Sequence, residues 1–118
     1  MAPRKPPAPR AARPKSPTSA AIERLAKLAQ AGTAPDRMAR EVGAIVATWL
    51  AEPEADRGQV RDHVETLHED LASGAEAAEE QAADVDQSET GAAKQAARTL
   101  AALRATRDAL GAELERLR

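Results

Sequence analysis

The chain lacks cysteine, phenylalanine and tyrosine, and Trp49 is the single aromatic residue among its 118 residues. The absence of cysteine excludes disulfides, thiolate zinc sites and a cysteine nucleophile. Without other aromatic rings, leucine, isoleucine and valine must provide nearly all of the apolar surface that folding can bury. Such surface is scarce, because 30 of the apolar residues are alanines and only 20 are larger.

Long apolar stretches are also absent. No run approaches the roughly 20 residues that a membrane-spanning helix needs, and the basic N-terminus lacks the apolar segment of a secretory signal. We therefore expect a cytoplasmic protein without membrane contacts. Alanine, leucine, arginine and glutamate are abundant and favour helix throughout, and a net charge of −2 argues against general disorder. We predict an all-α chain that gains the missing apolar burial by forming a homo-oligomer.

Residues 1–19 form a compositional block of their own. Six prolines in this block remove hydrogen-bond donors and fix φ, which predicts an extended, disordered arm. Its basic residues, with no acid among them, suit contacts to a phosphate backbone, although a solubilising tail without a partner is an alternative. The cations of the arm are Arg4, Lys5, Arg10, Arg13 and Lys15.

Residues 20–52 are predicted to form a unit of two short helices. Ser16 or Ser19 can cap the first helix, and Gly32 suits a left-handed stop at its end. Thr33, with Asp36 three residues later, resembles a capping box for the second helix. Apolar residues recur at helical spacing in both segments, so we expect two faces that pack together. These are Ile22, Leu25, Leu28 and Ala29, followed by Met38, Val42, Ile45, Val46, Trp49 and Leu50.

Within this unit, residues 28–43 read LAQAGTAPDRMAREVG. A helix that ends at a glycine, a short turn, and then an apolar-Ala-x-x-apolar-Gly helix resembles the opening of helix-turn-helix modules in transposases, resolvases and phage small terminase subunits. In those families a turn and a polar recognition helix follow. Here the chain continues from Ala44 to Leu50 with mostly apolar residues. A plain two-helix packing unit is therefore the alternative to a DNA-reading module.

Residues 53–118 carry a strong charge contrast. Residues 52–89 have a net charge of −11 and residues 90–118 a net charge of +3. In one continuous helix of a parallel dimer the acidic segments would lie side by side and repel. We therefore predict a fold-back at Asp86–Gly91, which makes an antiparallel, coiled-coil-like helical hairpin in which the acidic helix meets the basic one.

The C-terminal run follows a heptad. Ala93, Leu100, Arg107 and Leu114 occupy one seam position, and a second position begins at Ala96. A leucine stripe on one helix needs a partner surface, and we expect neighbouring copies of the chain to provide it. The residues predicted to mediate oligomerisation are Leu100, Leu103, Leu110, Leu114 and Leu117.

Residues that could carry chemistry are few. Glu65 and His68 have the Glu-x-x-His spacing of di-iron bundles, but those sites need a second copy of the motif and further glutamates. The other histidine, His63, falls on a different helical face. No Ser–His–Asp arrangement, glycine-rich phosphate loop or paired-histidine motif occurs, so we expect neither an enzyme nor a cofactor nor a metal site.

A basic arm, a small helical unit and an oligomerising hairpin resemble the organisation of phage-type small terminase subunits. The resemblance implies a non-enzymatic, oligomeric DNA-packaging adaptor that docks on a larger protein subunit, and binding through phosphates would tolerate different DNA sequences. The alternative is a protein–protein interaction module, such as an inhibitor, an antitoxin-like partner or a structural coiled coil, that acts through the acidic helix or the leucine seam. The candidate DNA-binding residues are Arg4, Lys5, Arg10, Arg13, Lys15, Lys27, Arg37 and Arg40.

Overall fold

The computed structural model describes residues 16–118, which form four α-helices and no strand. The helices are α1 (Pro17–Gln30), α2 (Pro35–Leu50), α3 (Arg57–Asp84) and α4 (Thr90–Leu117). The predicted all-α class is therefore confirmed for the described part of the chain. Residues 1–15, which make up most of the predicted arm, lie outside the described residues.

The first helix begins earlier than predicted. The Ser16 hydroxyl accepts a hydrogen bond from the Ser19 backbone N–H at 3.1 Å, and Pro17 occupies the first helical position. Proline suits this position, because its missing N–H would have no partner there and its φ is already helical. Residues 17–19, which the sequence placed in the arm, are thus the first turn of α1.

The predicted stop at Gly32 is confirmed. Gly32 has a φ of 75°, its N–H donates to the Ala29 carbonyl, and the Thr33 N–H donates to the Leu28 carbonyl. These two bonds define a Schellman motif, which needs a left-handed residue after the C-cap. The predicted capping role of Thr33 is wrong, since the N-cap of α2 is Ala34 and makes no side-chain bond. Pro35 explains this, because a proline disfavours helical geometry in the residue before it.

Helices α3 and α4 lie side by side in opposite directions. Arg57 at the start of α3 contacts the end of α4, His68 lies beside Gly111, and Glu79 pairs with Arg104 at 3.3 Å. Each helix has 28 residues, so each is about 42 Å long. The Asp56 carboxylate caps α3 by accepting from the Gly58 backbone N–H at 2.8 Å.

The turn between the two long helices has its own hydrogen bonds. Asp86 accepts from both the backbone N–H of Ser88, at 2.9 Å, and the Ser88 hydroxyl, at 2.8 Å. The bond from the backbone N–H, followed by the bond from the hydroxyl, holds the pKa of the Asp86 carboxyl below its ordinary value of 3.8. The turn thus contains a fully exposed carboxylate that is stabilised in its charged form.

A single apolar core connects the four helices. Helix α1 packs on both α3 and α4, and α2 packs mainly on α4. On α3 the buried residues run from Val60 to Ala78, because apolar spacing of four and three residues turns these side chains to one side. On α2, Met38, Val42, Val46 and Trp49 are buried, whereas Leu50 is 43% exposed.

The leucine stripe of α4 is largely covered within one chain. Leu103, Leu110 and Leu117 are buried, while Leu100 and Leu114 are partly buried against the same core. Because α1, α2 and α3 all contact α4, they take the place that the sequence assigned to neighbouring copies. The wider buried face also includes Thr106, whose hydroxyl donates to the Ala102 carbonyl at 2.7 Å. The adjacent Arg107, which the heptad places at a seam position, pairs with Asp108.

Candidate nucleic-acid interface and acidic face

Three candidate DNA-binding residues lie near the turn between α1 and α2. Lys27 is in the last turn of α1, Arg37 is in the first turn of α2, and Arg40 follows three residues later. All three are exposed and make no ion pair with another residue of 16–118. By contrast, Arg24 is bound to Glu41 through both Nε and Nη2, at 3.1 and 3.0 Å.

The tertiary structure adds a fourth cation to this region. The Gln95 side-chain amide donates to the Gln30 carbonyl at 2.6 Å, which fixes α4 against the end of α1. One turn further along α4, the Arg98 side chain lies so close to Gly32 that an added Cβ would be 3.4 Å from its Cδ. We call Lys27, Arg37, Arg40 and Arg98 the basic turn.

The sequence does not indicate that Arg98 belongs to this region, because it is 66 residues from Gly32 along the chain. The spacing of Lys94 and Arg98 does predict that both share one helical face. It does not indicate that this face meets the α1–α2 turn. The remaining five candidates, all in the arm, lie outside the described residues: Arg4, Lys5, Arg10, Arg13 and Lys15.

Helix α3 presents a large acidic surface. Eight of its residues are Asp or Glu, and all eight are exposed. Within residues 16–118 only Glu79 forms an ion pair, with Arg104 of α4. We call the others the acidic face: Asp62, Glu65, Glu69, Asp70, Glu76, Glu80 and Asp84.

Ion pairing between the side chains of α3 and α4 is weaker than the charge contrast of the two segments predicts. The ion pair between Glu79 and Arg104 leaves their side chains 65% and 46% exposed. Exposed pairs of this kind contribute about 0–1 kcal/mol. Three other arginines near the end of the chain pair with acids of the same segment. Apolar burial therefore provides most of the attraction between the two helices.

Both histidines of α3 lie against residues of other helices. The His63 ring meets Trp49 edge-on, with 5.3 Å between ring centroids and 62° between planes, and His68 lies beside Gly111. Among residues 16–118 no three histidines or carboxylates come close enough together to hold a metal ion. The Glu65–His68 pair therefore has no third ligand in this part of the chain.

The four described helices contain no segment with the length and apolarity required to cross a membrane. Comparisons of the chain with protein-family models, with curated proteins and with solved structures found no match.

Proposed function

We propose that the protein is a non-enzymatic DNA-binding adaptor that holds the phosphate backbone through the basic turn and the N-terminal arm. The observation that carries this proposal is the basic turn itself, four exposed cations from three helices that have no ion pair within residues 16–118. The arm adds five cations and no acid at the other end of α1. Exposed, unpaired cations are free to replace the counterions of a nucleic acid.

Such binding should tolerate different DNA sequences. Helix α2 continues without a break from Pro35 to Leu50, and Val46 and Trp49 of its second half are buried in the core. A turn and a separate reader helix after Gly43 are therefore not present within residues 16–118. Contacts to phosphates position a protein on DNA without reading base sequence.

The binding experiment measures the anisotropy of two labelled duplexes of unrelated sequence between about 50 and about 200 mM salt. Replacing Lys27, Arg37 and Arg40 by alanine should reduce the slope of log K against log salt by about 2–3, and removing residues 1–15 should reduce it by about 4–5. A variant with Arg104, Arg107 and Arg116 replaced by alanine is the matched control, because it loses the same charge elsewhere. An equal decrease of the slope in both triple variants would reject the basic turn as a DNA-binding surface. Undiminished binding without residues 1–15 would reject the arm as a DNA-binding segment.

The resemblance to small terminase subunits adds an oligomeric adaptor role to the proposal. An assembly of copies would use surface other than the buried Leu103, Leu110 and Leu117, for example the exposed Leu50 with the partly exposed Leu100 and Leu114. Light scattering coupled to size exclusion tests this role. A ring-sized particle would support a DNA-packaging adaptor, and a monomer at all concentrations would remove it.

The acidic face supports a second candidate, a protein–protein interaction module. Seven exposed carboxylates on one helix, without ion pairs in residues 16–118, form a surface for a basic partner protein. This candidate predicts one stoichiometric protein partner, released when Glu69, Glu76 and Glu80 are replaced by glutamine, together with undetectable DNA binding. Retention of that partner by the glutamine variant would reject the acidic face as its binding surface.

A further inference from the structure

A groove of about 810 Å³ runs between α1, α3 and α4, beside the basic turn. Seven of its sixteen lining residues are alanine or glycine, so small side chains form much of its surface. Within residues 16–118, a Cβ placed on Gly74 would meet no atom within 4 Å apart from its chain neighbours and its own helix backbone, so this part of the groove has free space. The lining residues include Ala29, Leu71, Gly74, Ala78, Ala96 and Leu103.

The charged residues of the groove all have one sign. Asp70 and Asp84 line it from α3, and among residues 16–118 no lysine or arginine lines it. Glu80 lies four residues before Asp84, one helical turn away, and extends the same acidic edge. The neighbouring amides of Gln30, Gln81 and Gln95 add polar groups but no positive charge. The groove therefore repels phosphate and favours a cationic occupant with small apolar side chains.

Residues 1–15 have that composition. They contain five cations and no acid, and nine of the other residues are alanine or proline. An extended, polyproline-like chain of 15 residues spans up to about 46 Å. The groove begins at Ala26, nine residues after Pro17, which is about 14 Å along α1. Both charge and length allow this segment to reach the groove of its own chain.

We propose that residues 1–15 dock in this groove in cis, with their cations against Asp70 and Asp84 and their alanines and prolines against the small-residue floor. Docking itself does not depend on the proposed function. Its consequence does rest on that function: a docked arm is withheld from phosphate, so the groove regulates DNA binding by competition.

The absence of native cysteine makes docking measurable in the full chain. A nitroxide attached to Ala8→Cys should broaden the amide signals of Gly74, Ala77 and Ala92 at low salt. Signals of Gln59 and Ala112, at the opposite ends of α3 and α4, should keep their intensity. The difference in broadening between these two sets of signals should disappear at about 1 M salt, where the Debye length falls to about 3 Å.

Two kinds of variant test the groove itself. Replacing Asp70 and Asp84 by asparagine should decrease the docked population about two- to fivefold for each carboxylate removed. Gly74→Leu fills the free space with a better helix former and should abolish the broadening. Gly43→Leu is the matched control, because a Cβ added at Gly43 also lies in open space within residues 16–118. The helical circular dichroism signal of each variant should equal that of the wild type, which checks that the variant is folded.

The pattern of broadening distinguishes docking in cis from the alternatives. Selective broadening that the aspartate and Gly74 variants remove supports docking in cis. Uniform broadening, or broadening that neither variant changes, overturns it. Transfer of the broadening to an isotope-labelled chain mixed with a separate spin-labelled one overturns the cis arrangement in favour of a second copy. DNA titration is a separate readout: docking without any DNA binding would reject the proposed function and leave the docking intact.

Discussion

The guanidinium of Arg57 donates to the backbone carbonyl oxygen of Arg116 at 2.6 Å, which ties the first residue of α3 to the last turn of α4. Its Nε also approaches the Leu117 carbonyl at 3.5 Å. The last carbonyls of a helix have no partner within it and carry partial negative charge. Arg57 thus caps α4 and holds the ends of the two long helices together.

Replacing Arg57 by alanine should lower the free energy of unfolding by about 1 kcal/mol, because the carbonyl oxygens lose a charged donor that water replaces only in part. Urea denaturation followed by circular dichroism measures this change. Arg61→Ala is the matched control, since Arg61 is exposed and lies one turn further along α3. An equal effect of both substitutions would contradict the capping role.

Leu110→Ala should destabilise the chain by about 2–5 kcal/mol, because Leu110 is fully buried and the substitution leaves a cavity. Leu50→Ala should change the free energy of unfolding by less than about 0.5 kcal/mol, since Leu50 is 43% exposed. Both values come from denaturation at several protein concentrations. If the Leu110 variant changed oligomeric state without losing stability, the burial within one chain would be wrong.

The ion pair between Arg24 and Glu41 links α1 to α2 and should contribute about 0.5–1 kcal/mol at low salt. A double-mutant cycle with alanine at each position isolates this coupling. The two side chains are 58% and 20% exposed, so the coupling should decrease as salt rises. A coupling energy of zero at low salt would show that the ion pair does not stabilise the packing of α1 against α2.

The lowered pKa of Asp86 predicts a pH-dependent contribution of the turn between α3 and α4. A carboxyl whose pKa is depressed by folding contributes stability that is present above its unfolded pKa and is lost as pH falls through the folded pKa. Asp86→Ala should therefore be less stable than the wild type above the ordinary value of 3.8, and the difference should vanish well below it.

Thermal unfolding between about pH 7 and about pH 2 measures this difference. Glu89→Ala is the control, because Glu89 at the N-cap of α4 makes no side-chain capping bond. A stability difference for Asp86→Ala that is constant across the whole range would contradict the assigned hydrogen bonds.

The local features of the fold could be predicted from the sequence. Gly32 permits a left-handed conformation, and Pro35 and Pro53 fix φ at their own positions, so helix ends near these residues follow from chemistry within a few residues. The exact start of α2 depended on competition between two local signals, and the effect of Pro35 on Ala34 outweighed the capping pattern of Thr33.

The candidate site was predictable only in part. Exposure of Lys27, Arg37 and Arg40 agrees with their position on polar faces, but Arg98 joins them through contacts between α4 and the α1–α2 turn. The groove beside these cations depends on the spacing and angles between α1, α3 and α4. Helical periodicity indicates which side of a helix is apolar, but it does not indicate which element covers that side.

The sequence by itself determined the helical class, the stop at Gly32, the apolar face of α3 and the opposite charges of the two C-terminal segments, because these depend on single residues or on spacing along one helix. Only the tertiary structure decided that the leucine stripe of α4 is covered within the chain and that Thr106 joins the core. The physical reason is that apolar burial is non-directional. Any helix of suitable shape can cover the stripe, and here α1, α2 and α3 lie close enough to do so.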